Sequence, residues 1–155
     1  MSMRALVVGY GSPLRGDDAL GPLVADRLAA LELPAGIEVA ARHVLTAELV
    51  AELGAVERAV FLDAAVDLPP GAVRCVPLMP RWSASSMAHV HDPCELLAWC
   101  EALYGRAPHA WLISAGGAEF GYAHCQLSAP ARAAIAPMLA RIMTLLDLAA
   151  PDATG

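Results

Sequence analysis

Short apolar runs alternate along this chain with stretches of helical periodicity, and that alternation constrains the fold more than any other feature. Residues 4–10, Arg-Ala-Leu-Val-Val-Gly-Tyr, are too few for a buried helix and read as a buried strand ended by Gly9 and Gly11. After a loop at 11–18, Leu20, Leu23, Val24, Arg27 and Leu28 recur at three- and four-residue spacing, which predicts a helix that stops near Pro34. The same logic gives a strand at 37–44, and a short helix at 46–53 with Thr46 as its cap and Gly54 as its stop. Ala59–Leu62 is a third strand running directly into Asp63, and the Pro69-Pro70-Gly71 turn leads to a fourth at 72–78. Residues 79–91 have no period and read as a loop. A helix follows, with Asp92 as cap, Pro93 at the first position and Glu95 completing a capping box; its expected apolar face is Leu96, Leu97, Cys100, Leu103 and Tyr104. A fifth strand spans 110–115, and a last helix spans 128–146 with a kink or late start at Pro137. Strands alternating with helices imply an α/β fold: one three-layer domain over residues 3–146, with a mainly parallel twisted sheet of about five strands flanked by helices. Residues 147–155 read as a flexible tail.

A chain of 155 residues can bury one substantial core, and charged residues at 17% are too few for disorder. The formal net charge of -6 argues against nucleic acid or an anionic membrane as partner. No apolar stretch reaches the ~18 residues of a membrane span, and the start of the chain lacks a secretion signal. Cys75, Cys94, Cys100 and Cys125 form no Cys-x-x-Cys pair and read as small buried hydrophobes in a reducing cytoplasm.

In open parallel sheets, ligands bind beyond the carboxyl ends of the strands, where the connecting loops converge. Asp17 and Asp18 follow the first strand, Asp63 ends the third, and His89 lies in the loop before the Asp92 helix. Two carboxylates and an imidazole suit a divalent cation while leaving positions open for substrate or water. Other roles stay open on spacing alone. The Asp17-Asp18 pair can cap the following helix, Asp63 can bind turn amides, and His91 competes with His89. A dinucleotide turn is disfavoured because Leu14 stands where Gly9-Tyr10-Gly11 would need a third glycine, and no Gly-x-Ser-x-Gly marks a serine hydrolase.

Taken in order, these segments resemble the hydrogenase maturation endopeptidases. Gly9-Tyr-Gly-Ser-Pro-Leu-Arg-Gly-Asp-Asp-Ala-Leu-Gly21 is similar to that family's opening signature, with Ser12 in place of its usual asparagine. Phe61-Leu62-Asp63-Ala64 resembles its second acidic motif. Ser85-Ser-Met-Ala-His89, with Pro93 and Leu96-Leu97 after it, resembles its histidine segment, and Leu127-Ser-Ala-Pro130 its entry to the final helix. The Asp-Gly-Gly-Thr-like segment of many members is missing around Arg42–Glu48, which leaves the partner hydrogenase open. The resemblance implies that Asp18, Asp63 and His89 bind nickel carried by the precursor of a nickel–iron hydrogenase large subunit. It also implies that the protein removes that precursor's C-terminal extension, with the same three residues serving catalysis. Either the metal activates water, or an aspartate acts as base while the metal orients the bond. The alternative is a non-catalytic, nickel-dependent checkpoint or chaperone that binds the immature subunit.

Overall fold

The computed structural model describes residues 3–82, 92–122 and 126–148. Within these residues five strands form one sheet: β1 (Ala5–Tyr10), β2 (Ile37–Arg42), β3 (Arg58–Pro70), β4 (Val73–Leu78) and β5 (His109–Gly116). Their order is β2-β1-β3-β5-β4. The first four of that order run parallel, and β4 is an antiparallel edge. Among the described residues four α-helices accompany them: α1 (Leu20–Ala29), α2 (Leu49–Gly54), α3 (Pro93–Tyr104) and α4 (Ala129–Leu145). This is the α/β sheet-and-helix architecture that the alternating pattern predicts.

The two sides of the sheet hold separate cores. Ala5, Val7, Val60, Leu62, Ile113 and Ala115 pack with α1 and α4. Leu6, Val8, Ala59 and Phe61 pack with α2 and α3. Successive side chains on a strand point to opposite faces, so the central strands are apolar on both. Close approach at glycines seats α1. A Cβ on Gly9 would lie 2.1 Å from the Gly21 carbonyl oxygen, and one on Gly21 would lie 2.4 Å from that of Leu62. Both values are far inside contact distance, so α1 rests on the ends of β1 and β3 only because both positions lack a side chain.

Several local expectations change. The second strand ends at Arg42 rather than 44. Helix α2 begins at Leu49 instead of Thr46, with no side-chain cap; Thr46 contributes its carbonyl to the Leu49 amide at 3.1 Å. Strand β3 continues past Asp63 to Pro70, because β5 keeps pairing with it after β1 has ended. On α3, Asp92 accepts from the Cys94 amide at 2.6 Å and Gly105 closes the helix at φ 73°, as its composition requires. Leu103 and Tyr104, expected on its apolar face, are instead exposed, for the buried stripe runs through Leu96, Leu97 and Cys100. Helix α4 is unbroken across Pro137 and starts early, capped by Ser128. Asp147 pairs with Arg58 at 2.8 Å, and the Leu148 amide donates to the Met143 carbonyl at 2.8 Å. Among the described residues no helix is long and apolar enough to cross a membrane.

Candidate active site

The loop after β1 turns on Gly11, whose φ of 143° lies in the region that favours glycine. A Cβ there would meet the Asp18 carbonyl oxygen at 1.9 Å, so the loop folds tightly back on itself. A single 3-10 turn, Gly16–Ala19, then delivers the acidic pair to the entrance of α1.

The pair divides. Asp17 is fully buried. Its carboxylate accepts from the amides of Ala118 (2.7 Å), Glu119 (3.0 Å) and Ser128 (2.7 Å), and from the Ser128 hydroxyl (2.7 Å). Its own amide donates to the Glu119 carbonyl at 2.7 Å. Burial works against the ionised form, but the Ser128, Glu119 and Ala118 donors outweigh it and hold the carboxyl below its ordinary pKa. Asp17 therefore fastens the β5–α4 connection to the first loop. It does not cap α1.

Asp18 stays partly exposed and accepts the Ser12 amide at 2.7 Å. Asp63 sits in β3 one residue beyond Leu62, the last to pair with β1, at the rim where β1 gives way to the Gly11 loop. It accepts from the Ala64 amide at 2.8 Å. Burial raises its pKa to about 7; the nearby Asp18 charge adds to the rise, while the Ala64 amide and Tyr10 hydroxyl oppose it. The structure thus brings Asp18 and Asp63 together, two carboxylates close enough to repel. A carboxyl that gains and loses its proton near neutrality is suited to acid–base work.

No family model matches the sequence, and no curated protein matches it. Solved structures do. A hydrogenase 2 maturation peptidase from a Thaumarchaeota archaeon superposes with a TM-score of 0.73 at 26% identity, covering 94% of this chain and 99% of its own. The hydrogenase maturating endopeptidase HybD of E. coli gives 0.76 at 21% identity, over 94% of this chain and 93% of its own. The nickel–iron hydrogenase maturation protease HycI of Thermococcus kodakarensis gives 0.74 at 20% identity, over 94% and 93%. This is the fold of the hydrogenase maturation endopeptidases.

Within that maturation-endopeptidase fold, the third expected ligand, His89, lies outside the described residues, as does its competitor His91. Among the described residues no group of three His, Cys, Asp or Glu side chains is placed to hold a metal ion. Asp18 and Asp63 nevertheless fit a divalent cation. They are hard oxygen donors at one rim, and the mutual repulsion that helps raise Asp63 is relieved by positive charge between them.

Tyr10 is the residue that the sequence motifs pass over. Its hydroxyl bonds to Asp63, and its own pKa is pushed far up by burial and then by the Asp63 charge, with Asp92 and Cys94 also contributing. The first helical turn of α3 is therefore beside the site, and His89 precedes Asp92 by three positions in the chain. The available signal is the parallel register. Gly9 pairs with Leu62, which sets Tyr10 beside Asp63, but only once β1 and β3 are known to be neighbours.

Proposed function

We propose that the chain is an endopeptidase of hydrogenase maturation that removes the C-terminal extension of a nickel-loaded large-subunit precursor. One observation carries this reading: at the carboxyl rim of the sheet Asp63 is buried and lies near enough to Asp18 for the two charges to repel, which together raise its pKa to about 7. Three solved structures that the chain resembles are themselves named as hydrogenase maturation peptidases, endopeptidases or proteases.

In this reading the nickel arrives bound to the precursor, as part of the substrate. Asp18, Asp63 and His89 are its three ligands on this side, and grip of the cation selects precursors already loaded. The cation would polarise the scissile carbonyl or acidify a water. The chain's own contribution is to hold the bond: Asp18 is anchored by the Ser12 amide and Asp63 by that of Ala64. Such positioning is worth about 7 kcal/mol or more in favourable cases. Asp63, whose pKa burial raises to about 7, accepts a proton from the attacking water and returns it to the leaving amine. The reaction belongs to the cytoplasm, where precursors are assembled in reducing conditions.

The test is mass spectrometry of a nickel-loaded precursor incubated with and without the protein. Loss of a C-terminal peptide supports the endopeptidase. A precursor bound in a nickel-dependent way but left at full length identifies a checkpoint, and binding without nickel dependence sinks both.

A further inference from the structure

Asp63 has a hydroxyl-bearing neighbour on each side, on the same face of the sheet. Side chains at Leu6 and Val8 of β1, Ala59 and Phe61 of β3, and Ala110 of β5 all face the α2–α3 core, with Leu112 packed against it. Strand alternation therefore turns Tyr10, Asp63 and Ser114 to that face. Gly9 pairs with Leu62, and Asp63 pairs directly with Ser114, in a stretch where the register is regular. Adjacent strands lie ~4.8 Å apart, so the three side chains form one row across β1, β3 and β5.

The two hydroxyls differ. Tyr10 already bonds to Asp63. Ser114 is 2% exposed, and its Oγ has no hydrogen-bond partner among the described residues. A buried hydroxyl left unbonded costs stability, and alanine in its place would pack as well without that cost. Ala110 and Leu112, which share its face of β5, show that apolar side chains suit this side of the strand.

We propose that Tyr10 and Ser114 are positioning residues for Asp63, aiming its carboxylate toward Asp18 with a hydroxyl on either side. The Ala64 amide holds Oδ1, and Tyr10 donates from the β1 side. Ser114 offers a second donor from the β5 side, paired directly across from Asp63 and with no other partner among the described residues. The inference rests on the endopeptidase reading for its kinetic arm alone.

Three variants separate positioning from packing. Ser114→Ala is expected to melt at the same temperature as the native chain or higher, yet to process precursor about tenfold more slowly in kcat with KM unchanged. Tyr10→Phe keeps the ring and loses the hydroxyl; it should fall nearly as far in kcat as Tyr10→Leu. If Tyr10→Phe and Ser114→Ala both process at the native rate, the proposal is overturned. A second measurement needs no precursor: the Asp63 carboxyl carbon resonance of the isolated protein in alkaline buffer. It should move in both variants, and a resonance unmoved in either removes that hydroxyl from the row. Native protein that cleaves no precursor would end the endopeptidase reading while leaving the resonance arm decisive.

Discussion

Asp17 and Asp18 are neighbours in the chain, yet one is enclosed and accepts four hydrogen bonds while the other accepts a single amide at the open rim. The enclosed carboxylate is held by backbone and hydroxyl donors, three on Oδ2 and one on Oδ1, and is shut away from any ligand. The rim carboxylate is partly exposed and lies near Asp63, whose proton its charge helps retain. The difference separates architecture from chemistry. A carboxylate satisfied by fixed donors stabilises the fold, and two neighbouring carboxylates whose charges repel are a place for a cation.

That contrast can be broken in several ways. The largest effect belongs to the rim. Asp63→Asn should slow precursor processing about a thousandfold, read by mass spectrometry over time, with circular dichroism unchanged. Full processing by that variant would refute the rim as the reacting site. At the enclosed position the loss should fall on stability. Asp17→Asn places an amide against donors and should lower the free energy of unfolding by about 3 kcal/mol in a urea titration. The pH dependence has a definite sign. Because the folded pKa of Asp17 is depressed, its contribution is complete above the unfolded carboxylate value near ~4 and disappears as pH falls through the folded value. The Asn variant should accordingly show a flatter acid limb.

Between these lies Gly21, where a new methyl would meet the Leu62 carbonyl oxygen at 2.4 Å and that of Tyr10 at 2.8 Å. Gly21→Ala should cost about 2 kcal/mol and also slow processing, since it pushes α1 and the Asp18 loop from the rim. Thermal melting and the processing assay together check this. The smallest effect is expected at Asp147, whose pairing with Arg58 at 2.8 Å is largely in water. Asp147→Ala should change stability by no more than about 1 kcal/mol, and a larger loss would mean that exposed carboxylates matter here as much as enclosed ones.

Much of this was legible in the residues, and particular cases show where legibility ends. Asp92-Pro93 and Gly105 mark both ends of α3 because caps are local chemistry, and the structure places them as expected. Asp63 was legible as the acid following an apolar run. Its position inside a longer β3 was not, since β5 rather than local sequence prolongs the strand. The aspartate pair gave no sign of which member is enclosed, for the partners of Asp17 are up to 111 residues away. Tyr10 and Ser114 are not legible as neighbours of Asp63, since each lies on a different strand.

By itself the sequence determined the kinds of element, their order, and the places where acids follow strands, at Asp17-Asp18 and at Asp63, because periodicity, caps and chain breaks act over a few residues. Only the tertiary structure decided that β4 runs antiparallel at the edge, that Asp17 serves the fold, and that Asp63 is flanked by two hydroxyls. Those outcomes depend on which strands become neighbours. That is settled by burying two apolar faces at once, a condition on the whole chain that no local window contains.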